Sequence, residues 1–130
     1  MVLLSLKNHH SKLMNRYIED YTKGDDYDCI LICDGSEIKC HRFVLKTFSN
    51  YFRTTFDNQL VLRYLSQRCP PFVLLVVNMS YASLKALIDF MYFGKMKLNR
   101  KEIKETLKSA KILGLTDFDL NKKSKKMRQL

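Results

Sequence analysis

The chain has 130 residues, 46% of them apolar, with 23 Lys and Arg against 13 Asp and Glu, for a formal charge of +10. That length sets one domain, and that apolar fraction excludes a natively unfolded basic protein and allows a core without a metal or disulfide staple. The longest apolar run, Phe72 to Val77, is far too short to cross a bilayer, and the start Met1-Val2-Leu3-Leu4-Ser5-Leu6-Lys7 lacks the basic leader of a secretory signal, so no membrane is expected and an intracellular setting is.

The charge is unevenly placed. Residues 1–94 carry 11 basic and 9 acidic side chains, residues 95–111 carry 7 and 2, residues 112–120 carry 0 and 2, and residues 121–130 carry 5 and 0. The body is nearly neutral, and the surplus lies in one late helical stretch and a basic C-terminal segment.

In chain order, Val2 to Leu6 forms a short apolar segment. Leu13, Met14, Tyr17, Ile18 and Tyr21 then recur at helical spacing and predict an amphipathic helix over Asn8 to Tyr21. Asp25-Asp26 beside Gly24 reads as a solvated turn more readily than as an acidic site. Tyr27 to Cys33 reads as a strand buried on both faces, and Asp34-Gly35 as a hairpin turn into Ser36 to Cys40. Two short helices follow, separated by a turn at Ser49-Asn50. The stretch from Asp57 to Pro71 combines a helical turn or two with the stop at Cys69-Pro70-Pro71. Phe72 to Val77 predicts a strand apolar on both sides. Asn78-Met79-Ser80 and Asn99 supply caps for two further helices that end at Gly94 and Gly114, the last with an apolar side of Ile103, Leu107 and Ala110. The order of helix, hairpin, two helices, strand, helix and helix predicts an α+β domain in which short helices flank a small sheet.

Catalytic patterns are absent from the sequence: there is no Gly-x-Ser-x-Gly, no glycine-rich phosphate loop and no His-Glu-x-x-His. No enzyme and no cofactor are therefore expected. Cys29, Cys33 and Cys40 with His41 could suggest zinc, but no CxxC pair occurs and the first two cysteines stand four apart on a strand. They read better as small core residues; neither a metal nor a disulfide framework is expected.

Four blocks carry a resemblance. Asp28-Cys29-Ile30-Leu31, His41-Arg42-Phe43-Val44-Leu45, Ser49-Asn50-Tyr51-Phe52 and Leu84 to Gly94 stand in the order of the BTB/POZ family's framework, and Leu113-Gly114-Leu115 resembles the end of its last core helix. The segment Leu4 to Leu13 resembles the opening of the insect tramtrack-type group, although the Trp of that pattern is missing.

The resemblance implies a BTB/POZ fold over residues 1–118, with 119–130 as a basic tail, forming an intertwined dimer. Leu3, Leu4 and Leu6, with the helix face Leu13, Met14, Tyr17, Ile18 and Tyr21, are the expected dimer interface; the same helix face could instead cover the chain's own core. Asp28 and Arg42 match the family's charged pocket, to be read either as a recruiting site or as a structural ion pair. His41 is expected as a hydrogen-bonded core histidine.

The implied function is oligomerisation in transcriptional or chromatin regulation, in the nucleus or alternatively the cytoplasm. The expected partners are a second copy, related BTB proteins and a co-regulator. One alternative is an adaptor for a cullin scaffold. Another is weak, non-specific nucleic-acid binding through Lys101, Lys104, Lys108 and Lys111, which line one helix face, and through the terminal segment. Lys122, Lys123, Lys125 and Lys126 read better as a nuclear-import signal.

Overall fold

The computed structural model describes residues 1–58 and 71–115. Eight elements follow one another there: α1 (His9–Lys23), β1 (Cys29–Cys33), β2 (Ser36–Cys40), α2 (Arg42–Phe48), α3 (Asn50–Asp57), β3 (Phe72–Leu75), α4 (Tyr81–Phe93) and α5 (Arg100–Leu113). This is the expected α+β order. The sequence readings for Leu60 to Leu65 and Cys69, the boundary between residues 118 and 119, and Lys122 to Lys126 lie outside the described residues. Among the described residues, no helix is long and apolar enough to cross a membrane.

The sheet is ordered β2-β1-β3. β1 pairs antiparallel with β2 (Cys29 opposite Cys40, Leu31 opposite Ile38) and parallel with β3 (Cys29 opposite Phe72, Ile32 opposite Leu75). The hairpin closes through Asp34 and Gly35 with φ of 51° and 77°, the left-handed pair a two-residue turn requires. Alternation sends Cys29, Leu31, Cys33, Ile38 and Cys40 into the core, while Ile30 and Ile32 are half-buried on the other face. β3 departs from the expected strand. It is shorter, and its outward side chains Val73 and Leu75 are exposed because β3 lies at the edge of the described sheet and nothing described covers that face.

α4 is the central helix: Leu84, Leu87, Ile88, Met91 and Tyr92 are all buried, and α1, α2 and α5 pack on it. Ser80 caps it through Ser83 N–H, and Asn99 caps α5 through Glu102 N–H. The buried side of α5 keeps the expected Ala110 but is otherwise turned from the expected one. Thr106, Ser109, Ala110 and Leu113 face the core, while Ile103 and Leu107 are only half-buried. The Ser109 hydroxyl donates to the Glu105 carbonyl 3.1 Å away, so a small polar residue enters the interior with its hydrogen bond made within the helix.

The three described cysteines are free and buried. The Cys33 thiol donates to the Met79 carbonyl, and its contact with Cys29 together with burial holds the Cys40 thiol well above its usual range. They act as small core residues, and among the described residues no group of three or more His, Cys, Asp or Glu is placed to hold a metal.

Candidate interaction site

The expected interface residues divide into two sets. Val2, Leu3, Leu4 and Leu6 precede α1 without regular structure and are exposed, Leu3 and Leu4 at 89%. On α1, Leu13 is 53% exposed, while Met14, Tyr17 and Ile18 are half-buried against the core. Tyr21 is withdrawn from the expected interface set. It is buried, its ring stacks on Tyr92 at 3.9 Å, and its hydroxyl donates to the Asp89 carboxylate at 2.6 Å. The apolar stripe of α1 is wider than one contact needs, so its C-terminal end serves the chain's own core and its N-terminal end remains open.

Asp28 lies one residue before β1, not within it, and its side chain is about one-third exposed. One carboxylate oxygen accepts from the Arg42 backbone N–H at 2.8 Å and the other from Arg42 Nε at 3.1 Å. The carboxylate thereby satisfies an orphan donor at the start of α2 as well as the guanidinium. The Arg42 guanidinium also sits 3.9 Å over the Phe72 ring, which links α2 to β3. The expected pair is therefore formed, and the cost of burying it is reduced because water still reaches both groups.

His41 is buried as expected. Its backbone N–H donates to the Tyr92 hydroxyl at 2.8 Å, and that hydroxyl lies 2.7 Å from Nδ1. Nε2 is enclosed without a hydrogen-bond partner, and the ring meets Tyr17 in a T-shaped contact at 5.1 Å.

Tyr17 in turn stacks on Phe43, which is 60% exposed. Sequence reading placed Phe43 among the apolar positions of α2 and missed that it turns outward. The signal available was its place one residue after the charged Arg42, at the start of a seven-residue helix too short to bury two faces. Leu13, Tyr17 and Phe43 thus form an apolar ridge from α1 to α2. Beside it a cavity of about 420 Å³ is lined by Arg16, Asp20, Asp26 and Asp28, and another of about 390 Å³ by Arg42, Lys46 and Arg53, with Asp28 in the wall of both. Lys101, Lys104, Lys108 and Lys111 stand exposed on α5, away from its buried side.

The chain matches the BTB/POZ domain family over residues 18–127. It belongs to that family. This BTB domain is 33% identical over 118 residues to Drosophila melanogaster protein bric-a-brac 2, covering 88% of this chain and 10% of that one. It is 35% identical over 92 residues to the Drosophila melanogaster Broad-complex core protein isoforms 1/2/3/4/5, covering 68% and 12%. With the Drosophila melanogaster longitudinals lacking protein, isoforms A/B/D/L, it shares 30% over 117 residues, covering 88% and 14%. The chain spans about a tenth of the length of these curated relatives. Among solved structures, the BTB domain of zebrafish PATZ1 superposes with a TM-score of 0.71 at 19% identity, and that of human gigaxonin with 0.65 at 21%. Each comparison covers 87% of this chain and 86% of the other. The BTB fold is thereby shown.

Proposed function

We propose that this BTB domain is a protein-interaction module that joins two copies of itself, or itself and a related BTB domain, in transcriptional or chromatin regulation in the nucleus. The supporting observation is the exposed apolar set Val2, Leu3, Leu4 and Leu6, continuous in sequence with α1 and its outward Leu13. Burying one such side chain is worth about 1.5–3 kcal/mol. Four of them in water are a large cost to leave unrecovered, and pairing of this segment with a partner sheet would also satisfy its backbone. The relatives support the transcriptional setting, and they favour it over cullin adaptation or nucleic-acid binding. Asp28 and Arg42, beside the Tyr17–Phe43 ridge, are the proposed recruiting site for a co-regulator.

Sedimentation of the intact chain and of a version lacking residues 1–7 tests this. A dimer at micromolar concentration that shifts towards monomer on truncation is the expected result. A compact monomer in both samples would overturn the reading.

A further inference from the structure

The Arg42 cavity has a charge balance that specifies its occupant. Arg42 is fixed from three directions, by its backbone bond to Asp28, its Nε bond to Asp28 and the Phe72 ring beneath it, while both terminal guanidinium nitrogens have no partner among the described residues. Lys46, one turn along α2, contributes a second cation and is paired with Asp57. Arg53, from α3, is exposed and has no ion-pair partner among the described residues. Three cations line the cavity with one carboxylate, Asp28, and even with Asp57 pairing Lys46 from outside it one positive charge is left over, on the exposed Arg53. Phe43 forms an apolar shoulder at the same cavity.

A guanidinium already held in place takes a planar carboxylate at little ordering cost, and a second cation within the same wall favours an anionic segment over a single anionic group. The Asp28 carboxylate in the wall disfavours a phosphate chain, which carries charge at every step, more than it disfavours a peptide whose acidic residues alternate with apolar ones. The volume, about 390 Å³, suits a few side chains.

We infer that the cavity between α2 and α3 binds an acidic peptide segment of a protein partner, a carboxylate side chain meeting Arg42 and Arg53 while a neighbouring apolar side chain rests on Phe43. The inference builds on the reading of Asp28 and Arg42 as a recruiting site, and adds the chemistry of the recruit together with Lys46 and Arg53.

The test is a titration of the isotope-labelled full chain, followed by amide and arginine side-chain NMR shifts. The probe is a blocked peptide of alternating glutamate and leucine, set against its glutamine and leucine counterpart. Shifts centred on Arg42, Lys46 and Arg53 with the acidic peptide alone are expected. Arg53→Glu, an exposed change that leaves the fold intact, should weaken binding roughly tenfold, and Arg53→Lys should restore most of it.

Equal binding of the glutamine peptide, or no binding, overturns the inference. So does an equal loss in Lys104→Glu on α5, which would mean diffuse attraction to any cationic face, or complete displacement of the peptide by random duplex DNA at matched charge. Sedimentation of the same samples separates this result from the dimer: a monomer that binds the acidic peptide upholds the cavity and removes only the dimer.

Discussion

At the residue scale, Tyr92 is the node that joins the site to the core. Its single hydroxyl serves the backbone and the ring of His41, and its ring stacks on Tyr21, whose own hydroxyl is held by Asp89 and Lys85. Burial is the first cause that raises the phenol of each well above its ordinary value of about 10. The folded state therefore holds these protons more tightly than the unfolded chain does. The stability this supplies is complete below about pH 10 and is lost as the unfolded chain begins to ionise and pH climbs towards the folded values. In an alkaline titration Tyr21 and Tyr92 should ionise only as circular dichroism reports unfolding. Tyr92→Phe should shift unfolding to lower urea, by about 2 kcal/mol, because His41 N–H and Nδ1 lose their partner inside the protein. Ionisation of Tyr21 and Tyr92 with structure intact would contradict the node. A hydrogen-bonded core histidine at position 41 was expected from the sequence. Its partner was not, since Tyr92 lies 51 residues away and no local pattern joins them.

At the element scale, the turn between α2 and α3 is fixed from a distance. Ser49 Oγ accepts from Phe52 N–H, capping α3, and donates to the Leu113 carbonyl at 2.6 Å, closing one of the orphan acceptors at the end of α5. Asn50 N–H donates to the Gly114 carbonyl, and Ser49 bridges to Leu115. Gly114 makes this approach possible: its φ is 63°, and a Cβ there would lie 3.1 Å from that of Asn50. Ser49→Ala removes the cap and leaves the Leu113 carbonyl buried without its donor, so a loss of about 2 kcal/mol is expected, read as a lower urea midpoint with an unchanged slope. A change under about 0.5 kcal/mol would show that the turn is held by backbone bonds alone. The turn at Ser49-Asn50 was readable, and so were the hairpin and both later helix starts, because turns and caps are local chemistry; that Ser49 caps α3 was not read. The rotation of α5 was not readable. Its apolar residues pointed to Ile103 and Leu107, whereas the packing surface chose small residues that let α5 approach α4, a choice made by the partner helix and not by the helix itself.

At the scale of the whole molecule, the ridge of Leu13, Tyr17 and Phe43 on α1 and α2 adjoins two cavities that share Asp28, one acid-rich and one cation-rich. A two-fold contact presents each surface to its own copy in the opposite direction, so ridge meets ridge. The proposed dimer gains from this arrangement, and it makes the two exposed ridge residues the place to test it. Leu13→Ser and Phe43→Ser together remove apolar surface that the single chain leaves largely in water, so urea unfolding of the variant's monomer should stay within about 0.5 kcal/mol of the unmodified chain. In a symmetric interface each side chain occurs twice. If half of each is buried on association, about 1 kcal/mol per side chain, the four together come to about 4 kcal/mol, close to a thousandfold in Kd. Sedimentation equilibrium of the double variant should show that weakening. An unchanged dimer constant would place the interface on another surface, of which the exposed outer face of β3, with Val73 and Leu75, is the largest apolar one left among the described strands.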